Sequence, residues 1–354
     1  MNTYDTTTLS PDCAAANDLP PNEALLLERL SSAVINHPEM AHASRLVDSV
    51  IAMNRHYSEP RHLLVIGDSG CGKSTLCDLI ENRYGTFDQE FRLGVQRNVG
   101  ALMTSVPSPV TPRSMAIQML RSMGITRRLN QPTQALTEEL IEQFRQCDVR
   151  VVVLDEFQHL LSVGEGGEKQ APKQLRQVQD WIKTLIVKSG VSFILLGLPS
   201  STALLLAEDQ MSRRFNQIFR LRAFPMPAAK KPSTIGAFVG DLLFCAVNEL
   251  SFFDDAVSFE DQSYNALRIH LATGGVPGPI KDLVINAARH ALVRGDRIIT
   301  LAHFASAYES VSRSLETQNE VRRENGEPGL PTSVINPFTA PEQWVLSQAY
   351  QKAA

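Results

Sequence analysis

At 354 residues the chain is long enough for one large domain or two ordinary ones, and its 43% hydrophobic and 20% charged residues are those of a globular protein rather than a disordered or fibrous one. A net charge of -4 argues against a uniformly basic nucleic-acid binder, so any such surface has to come from local clustering. The five cysteines contain no C-x-x-C pair, no apolar run approaches bilayer length, and Met1–Pro21 carries no basic residue; together these predict a soluble protein of a reducing cytoplasm, without zinc site, disulfide framework, signal peptide or membrane association.

Residues 1–22, rich in Thr, Ala, Asn and Pro, show no period and read as a flexible arm. Apolar residues at helical spacing predict helices over 22–30 and 38–57, the second with Ala43, Leu46, Val47, Val50 and Ile51 on one face. They are expected to lead into the first strand and to cover a nucleotide base. That strand is His62-Leu63-Leu64-Val65-Ile66, and it runs directly into Gly67-Asp68-Ser69-Gly70-Cys71-Gly72-Lys73-Ser74-Thr75, a match to G-x-x-x-x-G-K-[ST]. The three glycines let successive N–H groups turn inward onto phosphate oxygens, and a helix starting near Lys73 adds its positive end. Lys73 is expected to reach the β/γ-phosphates of ATP, and Ser74 to offer its hydroxyl to Mg²⁺. A chance glycine-rich turn is the competing reading, disfavoured because strand, loop and helix come in the required order.

From Phe91 to Thr137 the chain carries six arginines and no Asp or Glu. Within this stretch Val106–Pro112 is a proline-broken loop, and Arg113–Met123 reads as a helix with Met115, Ile117, Met119 and Leu120 inward. A helix over 138–146 delivers the chain to Arg150-Val151-Val152-Val153-Leu154-Asp155-Glu156, a buried parallel strand ending in two acids. A glycine-rich charged loop over 162–171, an amphipathic helix over 172–189 (Leu175, Val178, Trp181, Ile182, Leu185), a third buried strand over 191–198, a short helix over 203–207 and a last strand over 218–221 follow. Gln210–Gly240 again holds six basic residues and no acid. Past Pro225-Met226-Pro227 only helices are expected, over 233–250, 259–272, 279–294 and 301–315, then a polar tail with aromatic islands at Phe338 and Trp344. The expected organisation is an arm (1–22), an α/β core (23–224), a helical lid (225–316) and a flexible tail (317–354), with no internal repeat.

Asp155, at a strand end, is placed to hold the water shell of Mg²⁺, and Glu156 to orient and deprotonate the attacking water. A P-loop, an apolar strand and then Asp-Glu imply hydrolysis rather than nucleotide binding alone. Small-molecule P-loop kinases would use Lys73 and Asp155 but have no need of Glu156. The charge that spreads over the γ-phosphate calls for an arginine from a neighbouring subunit, and Arg213 and Arg214 follow the third strand at a suitable remove. A solvated or DNA-facing patch is the alternative for that pair. Gln158 and His159 read either as γ-phosphate sensors or as structural loop residues.

Gly67–Thr75, the segment Val151–Leu160 with its Asp155-Glu156-Phe157-Gln158-His159-Leu160, Ser212-Arg213-Arg214 and the turn Gly274-Gly275-Val276-Pro277-Gly278 resemble the AAA+ ATPases, and in particular the TniB/TnsC transposition regulators, over roughly 40–310. The resemblance implies an α/β P-loop NTPase core with a C-terminal α-helical lid. It also implies a slow, DNA-stimulated, Mg²⁺-dependent ATPase that forms ATP-dependent homo-oligomers, rings or filaments, on double-stranded DNA. Such a protein links a TniQ-type or RNA-guided target selector to a transposase. The family usually offers an arginine after the Gly-Gly turn, for which Lys281 is the nearest substitute here, and a polar residue at the end of the third strand, where Gly197-Leu198-Pro199 has none. In the resemblance DNA is gripped by elements between the P-loop and the Asp-Glu strand, which points to Thr111, Arg113, Arg121, Arg127 and Arg128, with a solvated helix face as the alternative for each. A replication initiator or helicase loader, and a scaffold or signalling NTPase that binds only proteins, are the rival readings.

Overall fold

The computed structural model describes residues 20–53, 60–91, 94–126, 130–160, 171–202, 209–215, 217–228, 232–249, 253–257, 264–324 and 335–353. The expected arm over 1–19, the glycine-rich loop over 162–170, the short helix over 203–207, and Arg127 and Arg128 lie outside the described residues. The chain forms two compact units, Pro38–Arg222 and Met1–His37 with Ala223–Ala354. Helix α1 (Pro21–Ser32) therefore belongs to the second unit and not, as its place in the sequence suggested, to the α/β core.

The α/β unit opens with α2 (Pro38–Met53) and β1 (Leu63–Gly67). Every residue of β1 is buried because strands pair with it on both edges and helices cover both faces, so the run is continuously apolar rather than alternating. After the loop come α3 (Lys73–Tyr84), a hairpin of β2 (Thr86–Phe91) and β3 (Gly94–Val99), β4 (Ala101–Ser105), α4 (Pro112–Ser122) and α5 (Thr133–Gln146). Then follow β5 (Val151–Asp155), a 3₁₀ turn (Phe157–Leu160), α6 (Ala171–Ser189), β6 (Ser192–Gly197), α7 (Asp209–Arg214) and β7 (Gln217–Leu221). Five of the strands make one parallel sheet in the order β4-β5-β6-β1-β7.

That order positions the site. From β1 the sheet extends to β7 on one side and to β6, β5 and β4 on the other, so the strand ends beside β1 form the crevice where parallel sheets bind ligands. The P-loop leaves the C-terminal end of β1, and Asp155 ends β5, two places away with β6 between them. Leu64, Leu102, Met119, Phe144, Leu154 and Phe193 pack the core under the sheet.

The β2–β3 hairpin and β4 escaped the sequence reading, as did the short paired strands Asp255–Ala256 and Ile298–Ile299 in the part of the chain where only helices are expected. In the β2–β3 hairpin Phe87 shares a face with Gln89, and Val99 shares the other with Asp88 and Arg97, so no clean apolar alternation marks it. Strand β4, Ala-Leu-Met-Thr-Ser, has only one β-branched residue and owes its conformation to its place against β5.

The helical unit continues with α8 (Thr234–Phe244) running into a π-helical turn (Cys245–Glu249), β8 (Asp255–Ala256), α9 (Asn265–Thr273), α10 (Pro277–Arg294), β9 (Ile298–Ile299), α11 (Leu301–Glu324) and α12 (Glu342–Ala353). Leu26 and Leu30 of α1 join its core with Phe238, Leu242, Val284 and Phe304. The expectation of a free tail after residue 316 is corrected: α11 runs on to Glu324, and the segment from 335 is packed. Phe338 lies 5.6 Å from Phe304 between ring centroids, Val345 is buried with Leu267 and Ala340, and the Arg268 guanidinium donates to the carbonyls of Pro337 and Ala340. The aromatic islands thus find their partners within the chain. Among the described residues no helix is long and apolar enough to cross a membrane.

Candidate functional site

Between β1 and α3 the backbone turns through two left-handed glycines, Gly70 (φ 78) and Gly72 (φ 97). Gly72 is the N-cap of α3 and supplies no side-chain bond, so the first-turn N–H groups and the positive helix end face the loop. A methyl group on Gly72 would lie 2.8 Å from Met40 Cε, and one on Gly67 would lie 3.1 Å from the Leu221 carbonyl. Lys73 folds back over the loop, its ammonium donating to the carbonyl oxygens of Gly67 (2.7 Å) and Asp68 (3.0 Å). Ser74 is exposed in the first helical turn and Thr75 is half-buried behind it. Cys71 is buried in the loop, with its N–H donating to the Asp68 carbonyl at 3.2 Å; burial raises its thiol pKa, so it acts as a filler and not a nucleophile. Ser69 is exposed, and the Asp68 carboxylate faces Arg220 at 3.6 Å.

The second half of the site is the end of β5. Asp155 is half-buried there, and its Oδ1 accepts the Glu156 N–H at 2.7 Å. Asp155 also lies close enough to Cys77 on α3 for its charge to help push that half-buried thiol up to about 12, desolvation being the larger cause. Glu156 takes a left-handed backbone (φ 58), which only a few non-glycine residues do, and this turns its exposed side chain out of the sheet line. Its Oε2 accepts from Gln158 Nε2 and sits 3.3 Å from His159 Nε2.

A nucleoside triphosphate with a divalent cation fits this donor set. Gly72 holds a left-handed backbone that a side chain would strain, Lys73 lies over the loop within reach of its carbonyls, and Ser74 and Asp155 supply the hydroxyl and carboxylate oxygens a hard cation takes.

A family model described as Bacterial TniB protein matches residues 29–224, more than half of the chain and the whole α/β unit. The chain belongs to the TniB family. Among solved structures, the Aeropyrum pernix ORC1 protein in complex with DNA is similar with a TM-score of 0.52 at 15% identity, covering 86% of this chain and 72% of that one. Cdc6p from Pyrobaculum aerophilum gives 0.51 at 14% identity, covering 91% and 88%, and the Aeropyrum pernix ORC2 protein 0.50 at 13% identity, covering 80% and 71%. At such identities the likeness speaks for the fold, that of an AAA+ ATPase. Among curated proteins none matches the chain.

The other expected residues of this TniB-family chain fall as follows. Arg213 is exposed and Arg214 half-buried at the end of α7, and both sit directly before the buried Phe215. Phe215 stacks at 5.0 Å on the ring of His62, which is fully buried at the entrance to β1 and accepts the Phe193 N–H on Nδ1 at 3.0 Å. Burial, and secondarily the nearby Arg214 charge, lower the His62 pKa to about 4. Sequence reasoning treated His62 as the first residue of an apolar run; its signal was a lone histidine opening a buried strand.

Thr111 caps α4 through a capping box with Ser114, and Arg113 donates to the Gln131 carbonyl, so both shape the loop around α4. Arg121 is exposed in the last turn of α4, and the Arg97 guanidinium of the hairpin lies over the adjoining turn, 3.2 Å from where a methyl on Gly124 would be. Lys281 belongs to the helical unit, where its ammonium donates to the Ala33 carbonyl at the end of α1 (2.7 Å).

Proposed function

We propose that this chain is an ATP-hydrolysing, DNA-binding regulator of transposition. It assembles with ATP into a homo-oligomer on duplex DNA and links a target-selection complex, of TniQ type or RNA-guided, to a transposase. The observation that carries this reading is the TniB match over the whole α/β unit, joined to a complete P-loop and Asp155-Glu156 pair at the ends of β1 and β5.

In this reading Gly67–Thr75 binds the triphosphate through backbone N–H groups, and Lys73 leaves its carbonyl partners for the β/γ-phosphate oxygens. Ser74 would offer its hydroxyl to Mg²⁺ and Asp155 would hold the ion's water shell; the ion would supply charge neutralisation at the phosphate oxygens. Glu156 orients water and takes its proton, and Arg213 or Arg214 reaches the γ-phosphate held by the neighbouring subunit. Arg113, Arg121, Arg127 and Arg128, with Thr111, contact DNA phosphates without reading sequence. Hydrolysis then acts as a switch on assembly rather than as strand chemistry. The initiator-like neighbours support the fold and do not favour an origin-binding role.

The test is ATP-dependent binding of the Glu156→Gln variant to random-sequence duplex DNA, followed by particle imaging. Rings or filaments threaded by DNA are expected, and Lys73→Ala should bind neither nucleotide nor DNA cooperatively. Tight nucleotide binding with no DNA-bound assembly would overturn the reading in favour of a protein-only scaffold.

A further inference from the structure

The end of β6 carries no polar side chain of its own: it reads Gly197-Leu198-Pro199, and Ser200 beyond it is exposed. A polar group is nevertheless built into that position from the neighbouring strand. Gln158, in the turn after β5, accepts the Leu198 N–H on Oε1 at 3.1 Å and donates from Nε2 to Oε2 of Glu156. The two partners settle the orientation of its amide, since a backbone N–H can only donate and a carboxylate can only accept. Gly197 makes the room: a methyl there would lie 3.2 Å from Gln158 Oε1 and would run into the Ser201 hydroxyl.

We propose that Gln158 is the positioning residue of the catalytic carboxylate, tying Glu156 to the end of β6 in place of the polar residue that strand lacks. This rests on the assignment of Glu156 as the base. Both side-chain contacts of Glu156, from Gln158 and from His159, fall on Oε2; among the described residues Oε1 has no partner, so one oxygen is clamped while the other is left to take a proton. Glu156 needs such a clamp because its backbone is already turned into the left-handed region and its side chain is exposed, where a long carboxylate would otherwise sample several rotamers. Gln158 acts in this role through Glu156, its amide held by the Leu198 N–H.

Two substitutions separate positioning from simple support. Gln158→Glu keeps an oxygen for the Leu198 N–H and replaces the donor to Glu156 by a second carboxylate; Gln158→Met keeps the length and loses both bonds. Full-length protein would be followed by steady-state hydrolysis, by titration with a fluorescent ATP analogue, and by hydrogen–deuterium exchange at Leu198. Both variants are expected to bind the analogue within about twofold of the parent and to keep its KM, while kcat falls at least about tenfold, a share of what a well-placed base contributes. Exchange at Leu198 should stay slow in Gln158→Glu and quicken in Gln158→Met. Unchanged turnover in Gln158→Glu would overturn the proposal, leaving Gln158 a prop for the β6 turn, and so would faster turnover in either variant, which would make the contact a restraint. If Glu156→Gln itself turned over normally, the underlying assignment of the base would fail instead.

Discussion

His62 makes the α/β unit acid-sensitive at a defined place. Its ring is fully buried, its Nδ1 is taken by the Phe193 N–H, and its pKa is lowered to about 4 by burial first and by Arg214 second. Above the ordinary histidine value of 6.5 the ring is neutral in both folded and unfolded chains and contributes nothing to pH dependence. As pH falls from 6.5 towards 4 the unfolded chain takes up a proton that the folded one refuses, so stability declines and levels off below about 4. With those two values the loss reaches about 2 kcal/mol at pH 5. His62→Asn places an acceptor where Nδ1 was and removes the titration. Because Trp181 lies in the α/β unit and Trp344 in the helical one, denaturant unfolding would be followed by fluorescence in a Trp344→Phe background, so that Trp181 alone reports. The expected result is a variant of lower stability at pH 7, through lost packing on Phe215, whose stability falls less than the parent's between pH 6.5 and 5. Parallel decline of the two proteins would refute the assignment of a buried neutral His62.

Gly72→Ala should weaken nucleotide binding at least about tenfold and cost roughly 1–2 kcal/mol, because φ 97 is strained for alanine and the methyl meets Met40 Cε. Gly190→Ala is the control: it shares a left-handed φ of 66 but has nothing within 4 Å of the added methyl, so it should lose similar stability with analogue affinity unchanged. Arg268→Met should destabilise the helical unit by about 2–3 kcal/mol, since two carbonyls lose a charged donor. Limited proteolysis should then cut within 335–353, and an uncut variant as stable as the parent would show that Phe338 and Val345 suffice to hold the segment.

Much of the molecule is determined by sequence because its signals are local. A P-loop has to read as glycines at the turn and lysine at the helix start, and buried parallel strands have to be continuously apolar, so Gly67–Thr75, Val151–Asp155 and the order of strand, loop and helix were legible. What tertiary structure alone decided is non-local. Strand β4 and the mixed β2–β3 hairpin carry no period strong enough to declare themselves; α1 joins residues two hundred positions later because its apolar face matches theirs; and the aromatic tail folds back once Arg268 and Phe304 meet it. The partners of Gln158 belong to the same class. A glutamine after Asp-Glu could have been a solvated loop residue, and only the pairing of β5 with β6 brings the Leu198 N–H to one end of its amide while the left-handed turn at Glu156 brings a carboxylate to the other.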